Sequence, residues 1–359
     1  MVKKTFVILL ILLLAGCTIE LKNSPDDMQE KINEDKSELL SQETDIKEKI
    51  SKEPIQKRCN DGTLYGECSY QKPYYCQDGS IIKKASICSC PENYMQQGEN
   101  CILEFETGLE QKNLEYTLRG KIDSIQINSY KGLNYYLSII PRSYVCDPEC
   151  PTDREIEMII LDNSEQKPYL LELADKIKEK TNDKQEQARI AISLVQSIPY
   201  ADGERRRNTL QGRYPYEVVY DLKGVCGEKS RLLVFLLREI GFGTALFHYN
   251  EEKHMTAGIK CPVEFSYKES GYCFIETVEP IIPTYVPKEY IDIGELKSNP
   301  EIIQVNDGEI FNAKEEYDDA RELERINKLG LVLEPKDYAV WRDLMKKYNI
   351  HVRGRMFYR

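Results

Sequence analysis

Gly224-Val225-Cys226-Gly227-Glu228-Lys229-Ser230 runs directly into Arg231-Leu232-Leu233-Val234-Phe235-Leu236-Leu237-Arg238-Glu239-Ile240-Gly241. Leu233, Leu236, Leu237 and Ile240 recur at helical spacing, and Gly241 stands where a helix ends on a left-handed residue. Cys226 therefore falls in the first turn of a leucine-rich helix. Unpaired backbone N–H groups and the positive end of the helix dipole favour a thiolate there, which is the nucleophilic form of cysteine. The same amides suit an oxyanion forming on a substrate. A buried, inert structural cysteine is the plainer alternative for this residue taken alone.

A thiol nucleophile needs a base, and the chain has three histidines, His248, His254 and His351. After Gly241 the text turns strand-like over Thr244–Tyr249 and passes a polar turn at Asn250–Lys253. It continues as a second strand from His254 to Lys260 and, after a longer loop, a third over Tyr272–Val278. An antiparallel pairing with His254 opposite Glu276 places both side chains on one face, where the carboxylate orients the imidazole. That register sets Cys273 near Ala257 and leaves Cys261 out in the loop, so that a Cys261–Cys273 bridge requires the loop to fold back. His248 reads as a strand residue facing solvent, and His351 lies in a C-terminal extension unrelated to the site.

From about Gln187 to Pro280 the chain resembles the transglutaminase-like superfamily. A helix ends near Tyr200, and Tyr214-Pro215-Tyr216-Glu217 precedes the nucleophile. Gly-x-Cys opens a Leu-rich helix ending at Gly241-Phe242, His254 starts a strand, and an acidic residue sits on the next one. The resemblance implies an α+β, papain-like core with the cysteine helix packed on an antiparallel sheet. It also implies a triad of Cys226 as nucleophile, His254 as base and Glu276 as orienting acid. Two positions depart from the family: Glu276-Thr277 replaces the usual Asp-Pro, and Met255-Thr256 replaces the aromatics that often follow the histidine. Gln196, Tyr200 and Tyr214 are candidates for a second oxyanion donor, each with an alternative as a helix-surface or core residue.

Upstream, Asp183 and Glu186 form the pattern of a capping box before a helix carrying Ala188, Ala191, Ile192 and Val195, and a preceding helix covers roughly 168–180. Alternation in Leu114–Leu118 and Asp123–Ile127 predicts strands with one buried face. Residues 59–102, with six cysteines and two Asp-Gly turns, predict a small disulfide-rich module loosely similar to EGF-like modules. Zinc is disfavoured there by irregular ligand spacing and the lack of a nearby histidine. Residues 18–58 are charged and poor in aromatics, as in a tether or a stalk with weak helical spacing.

The N-terminus has Lys3-Lys4, an apolar run from Phe6 to Leu14, and Leu14-Ala15-Gly16-Cys17. These are the parts of an export signal over 1–17. The last four resemble a lipobox, which implies cleavage before Cys17, a lipid on its sulfur and anchoring to the outer face of the membrane; an ordinary signal peptide is the alternative. Exported cysteines tend to pair. Of the twelve, setting Cys17 aside leaves an odd number. Six group between Cys59 and Cys101, Cys146 neighbours Cys150, and Cys261 and Cys273 flank one loop, so local grouping nominates Cys226 as the free thiol, with other connectivities open.

The full domain order is then the leader 1–17, the tether 18–58, the Cys-rich module 59–102 and a β-rich segment 103–165. A transglutaminase-like domain at 166–300 and a C-terminal helical extension at 301–359 complete it. In that extension Ala320, Leu323, Ile326 and Leu329 form one packing stripe, Trp341, Leu344 and Met345 another, and Arg353, Arg355 and Arg359 a basic tail. A net charge of -11 gives no support to a nucleic-acid partner. The expected chemistry is thiol acyl transfer through a thioester on protein or peptide amides, resolved by water or by an amine, with no cofactor and no metal. The rival is an inactive scaffold of the same fold that binds proteins or envelope material.

Overall fold

The computed structural model describes residues 57–92, 94–103, 105–141, 146, 149–201, 212–290, 294–330, 332–351 and 357–358. Cys17 with the leader, the tether up to residue 56, and Arg353, Arg355 and Arg359 lie outside the described residues. The described chain is mixed α and β with small antiparallel sheets, and falls into two compact units. No helix among the described residues is long and apolar enough to cross a membrane.

The first unit comprises residues 57–70 and 74–82. Cys59–Cys76 crosslinks it, and strands β1 (Tyr74–Gln77) and β2 (Ser80–Lys83) form a hairpin. Asp78 and Gly79 at the turn have φ of 49° and 90°, as a two-residue turn of the I′ kind requires. The cysteine-rich stretch 59–102 is not a single module, because its second half belongs to the larger unit. There β3 (Tyr94–Gln97) and β4 (Asn100–Leu103) make another hairpin, and Cys90–Cys101 crosslinks that half. The physical reason is the thinness of any core: between 57 and 103 the buried apolar residues among those described are Cys59, Pro73, Cys76, Ala85 and Cys88. Cys68 and Cys88 are also disulfide-bonded.

The larger unit opens with a long hairpin of β5 (Leu109–Leu118) and β6 (Lys121–Tyr130), in register from Leu109↔Tyr130 to Leu118↔Lys121. Leu114, Tyr116, Ile125 and Ile127 are buried, in keeping with the alternation. Two helices follow that period-two patterning did not signal, α1 (Lys131–Ile139) and α2 (Asp153–Leu161), the latter opened by a Thr152/Glu155 capping box. Next come α3 (Lys167–Lys180) and α4 (Lys184–Ser197). Asp183 caps α4 through the Gln185 N–H at 2.8 Å, but Glu186 does not reach back. Its carboxylate pairs with Arg119 and Arg189 at 2.8 and 2.9 Å instead, a stronger charge-assisted contact than a return to its own N-cap.

After α5 (Pro215–Asp221) comes the central helix α6 (Cys226–Ile240), closed by Gly241 at φ 114°. It is buried on all sides, with Leu232 through Leu237 fully inaccessible to solvent, rather than along one stripe. Each such side chain contributes about 1.5–3 kcal/mol relative to exposure. One wall around α6 is a four-stranded antiparallel sheet in the order β10-β7-β8-β9, made of β7 (Thr244–Tyr249), β8 (His254–Lys260), β9 (Tyr272–Ile275) and β10 (Glu301–Asn306). Leu246, Ala257, Ile259 and Ile275 share the helix's core, while Ala245, Phe247, Tyr249 and Phe274 form a separate cluster of the opposite parity. Residues 301–306 thus belong to the sheet and not to the C-terminal helices. The helices are α7 (Lys314–Asn327) and α8 (Pro335–Tyr348). Ala320, Leu323 and Leu344 pack together with Trp341 and Met345, whereas Leu329, past the end of α7, is half exposed.

The β8–β9 register is Ala257↔Ile275, Ile259↔Cys273 and Lys260↔Tyr272, two residues away from a pairing of His254 with Glu276. A two-residue shift preserves the face of every side chain. It also brings Cys261 beside Gly271 and closes the Cys261–Cys273 disulfide with a Cα–Cα distance of 5.7 Å, without any folding back of the loop. The closed loop spans 12 residues, so replacing both cysteines with alanine should lower unfolding free energy by about 3 kcal/mol in denaturant titration.

Candidate active site

The site is assembled where the first turn of α6 meets the start of β8. Gly224 is tightly packed: a Cβ there would lie 3.1 Å from both Lys229 Cγ and Val218 Cγ1. The turn behind it is pinned by Glu228, whose carboxylate accepts the N–H of Val225 at 3.0 Å and of Arg213 at 3.0 Å, with the Arg213 guanidinium paired to the same group. Val225 has no capping side chain, so Glu228 reaching back is what closes the helix start. Cys226 follows as the first helical residue, buried and the free cysteine among the described residues.

His254 and Glu276 converge on it. His254 Nε2 lies 2.9 Å from Glu276 Oε2, and both side chains are almost wholly buried. The other carboxylate oxygen accepts the backbone N–H of Thr277 at 2.8 Å and of Val278 at 3.1 Å. With Nε2 committed to the carboxylate, Nδ1 is the nitrogen left to exchange a proton with the thiol. Burial works against a thiolate at Cys226, but hydrogen bonding and charge from His254, helped by the Met255 backbone N–H, outweigh it and hold the thiol below its ordinary range. Burial likewise disfavours imidazolium at His254, and Glu276 together with Cys226 overcomes this, raising the imidazole above its ordinary range. The two shifts point to a thiolate–imidazolium pair.

The register explains why the acid is a glutamate. Glu276 lies just past β9 and, continuing the pairing, beside Thr256, a diagonal step from His254. The extra methylene spans that offset. Glu276→Asp should therefore lose the contact with His254 and, under the acyl-transfer reading proposed below, reduce kcat roughly 100-fold, since misplacement by about 1 Å costs that much. A smaller loss than tenfold would show that the shorter acid still reaches. Thr277 has its own role: its hydroxyl lies 3.4 Å from the Cys226 carbonyl and 3.0 Å from Ser230 Oγ, which donates to the Met255 carbonyl at 3.1 Å. That network ties α6, β8 and the chain after β9 together.

The chain matches no protein-family model, and no curated protein matches it.

Of the oxyanion-donor candidates, Gln196 is committed elsewhere, since its Nε2 donates to the carbonyls of Glu276 and Ile281 at 2.8 and 3.0 Å. Tyr200 runs beside Gly224 through a backbone bridge, and Tyr214 is buried at the start of α5. His248 is away from the triad: it lies with Asp153 and Glu301, one ligand atom of each within 4.8 Å of the others, on exposed or half-exposed side chains. Asp153 opens α2, where the helix dipole favours anions over a cation. His351 is exposed beyond α8.

Three residues of the site had no part in the sequence reading. Lys229 is fully buried, with Nζ on the carbonyls of Gln196 (3.3 Å), Ile198 and Val278 (3.2 Å). Burial pushes it down to about 7 against the pull of Glu276 and Glu279, and three acceptors match the three N–H groups of the ammonium form. Its signal was available, because Lys229 stands on the same helical stripe as Leu233, Leu236 and Ile240. Tyr290 and Tyr249 flank the imidazole, with ring centroids 5.2 and 6.4 Å away. Nothing in their local sequence marks them.

Proposed function

We propose that this chain is a thiol acyltransferase with a transglutaminase-like, papain-like core, acting on protein or peptide amides at the outer face of the membrane to which a lipid on Cys17 anchors it. The convergence of Cys226, His254 and Glu276, with the thiol lowered and the imidazole raised, carries this reading. The disulfides support an oxidising location. In that setting a cysteine kept reduced at a helix start beside a histidine has a chemical use.

The Cys226 thiolate attacks the amide carbon and forms the C–S bond, while free N–H groups of the first turn of α6 steady the oxyanion. As the intermediate collapses, the C–N bond breaks and His254 Nδ1–H supplies the proton that the leaving amine needs. Water or an acceptor amine then attacks the thioester, His254 takes its proton, and the thiolate leaves. Glu276 holds the ring and offsets its charge throughout, and Lys229 fixes the backbone around both partners.

Incubation with a casein digest and monodansylcadaverine tests both routes at once. Dye incorporation marks transfer to an amine, ammonia or new peptide termini without incorporation mark hydrolysis, and an acid-quenched acyl adduct on Cys226 is expected with either. Neither product nor adduct would leave the reading without its chemistry.

A further inference from the structure

Beyond the triad, an open cavity of about 290 Å³ lies alongside β9. Its walls are aromatic, with Phe265, Tyr267, Phe274, Tyr285 and Tyr317, and its rim is cationic, with Lys268, Lys288 and Arg321. Lys268 lies over the Tyr267 ring at 5.1 Å and Arg321 over the Tyr317 ring at 5.0 Å. The one acid lining it, Glu324, is paired with Arg321 at 3.0 Å and Lys328 at 3.1 Å. A net positive rim on a chain of net charge -11 is a local reversal of sign that selects an anion.

The floor holds a second, independent feature. Ile282-Pro283-Thr284-Tyr285 makes a tight turn in which the Tyr285 N–H donates to the Ile282 carbonyl at 3.1 Å. Proline at the second position and a positive φ at the third are the marks of a type II turn, whose third position favours glycine or asparagine. Here it is Thr284, at φ 75°. A β-branched side chain in that region is strained. Thr284 lines the cavity, while its hydroxyl oxygen is shut off from solvent. A β-branched residue held at positive φ breaks a local rule at the cavity floor, in the turn that bounds the cavity.

We propose that this cavity is a subsite for an acidic polypeptide segment, in which an aromatic side chain packs among the tyrosines and a neighbouring carboxylate meets Lys288 and Lys268. The volume suits one aromatic residue with its flanking backbone. That the ligand is a polypeptide rests on the amide-directed reading above; the anionic, aromatic character of the ligand rests on the cavity alone.

Calorimetric titration of the chain carrying Cys226→Ala, which cannot turn substrate over, separates binding from chemistry. Ac-Phe-Glu-Phe-Glu-NH2 should bind at least tenfold more tightly than Ac-Phe-Gln-Phe-Gln-NH2. Lys288→Glu, at an exposed position, should weaken the acidic peptide at least tenfold. Equal affinity for the two peptides, indifference to Lys288→Glu, or binding of tetragalacturonate in place of the peptide would overturn the assignment. Failure of acyl transfer in the unaltered chain, with this binding intact, would count against the proposed chemistry alone.

Discussion

Cys226→Ser is expected to lower the proposed acyl transfer by at least about a thousandfold, the scale seen when one member of a nucleophile–base unit is removed. The expected change in unfolding free energy is below about 1 kcal/mol, because sulfur and oxygen at the first turn of α6 differ little in volume. The size of the effect follows from the site's electrostatics. Burial opposes any anion at this position, and only a group as acidic as a thiol is brought into the ionised form by His254 and the Met255 N–H. A serine hydroxyl is far too weak an acid for the same surroundings. Steady-state rates on the casein digest, with denaturant unfolding alongside, check both halves. A serine variant retaining a tenth of the activity would remove Cys226 from the chemistry.

The largest stability effect is expected at Glu157→Ala. Glu157, on α2, grips Arg231, on α6, through two contacts of 2.6 Å, and both side chains are buried. Removing the carboxylate takes from a buried guanidinium the acid that grips it at two points, at a cost of about 3–5 kcal/mol. Replacing the pair together, Glu157→Met with Arg231→Leu, should recover most of that loss, since the apolar pair no longer asks for desolvated charge. Denaturant unfolding of the two variants distinguishes the cases. A cost below about 1 kcal/mol for the single change would mean that the pair is open to water.

How much of this was legible in the sequence depended on the range of the signal. The start of α6, its end at Gly241, and strands β7 and β8 follow from local spacing and turn residues, and parity alone placed His254 and Glu276 on one face. Register is set by long-range pairing and by the Cys261–Cys273 crosslink, so it came out two residues off. The helices α1 and α2 follow strands rich in β-branched residues and were hidden by that context. Strand β10 reads as an isolated six-residue segment whose partner, β7, lies over fifty residues earlier. Tyr249 and Tyr290 enter the site through packing, which no sequence period encodes. Lys229 was different: a lysine on an otherwise apolar stripe of a buried helix announces an internal partner.

The most direct test of the central claim is the rate of Cys226 alkylation by iodoacetamide from pH 5 to 9, located by mass spectrometry, in the unaltered chain and in His254→Ala. With the thiol lowered and the imidazole raised, the thiolate–imidazolium pair persists through neutral pH, and alkylation should stay fast well below the ordinary thiol range of about 8.5. Without His254, burial acts unopposed by its charge and pushes the thiol up, so the rate at pH 6 should fall about 100-fold or more. Equal rates in the two proteins, or a Cys226 that reacts only as an ordinary thiol does, would contradict the pair and with it the acyl-transfer account.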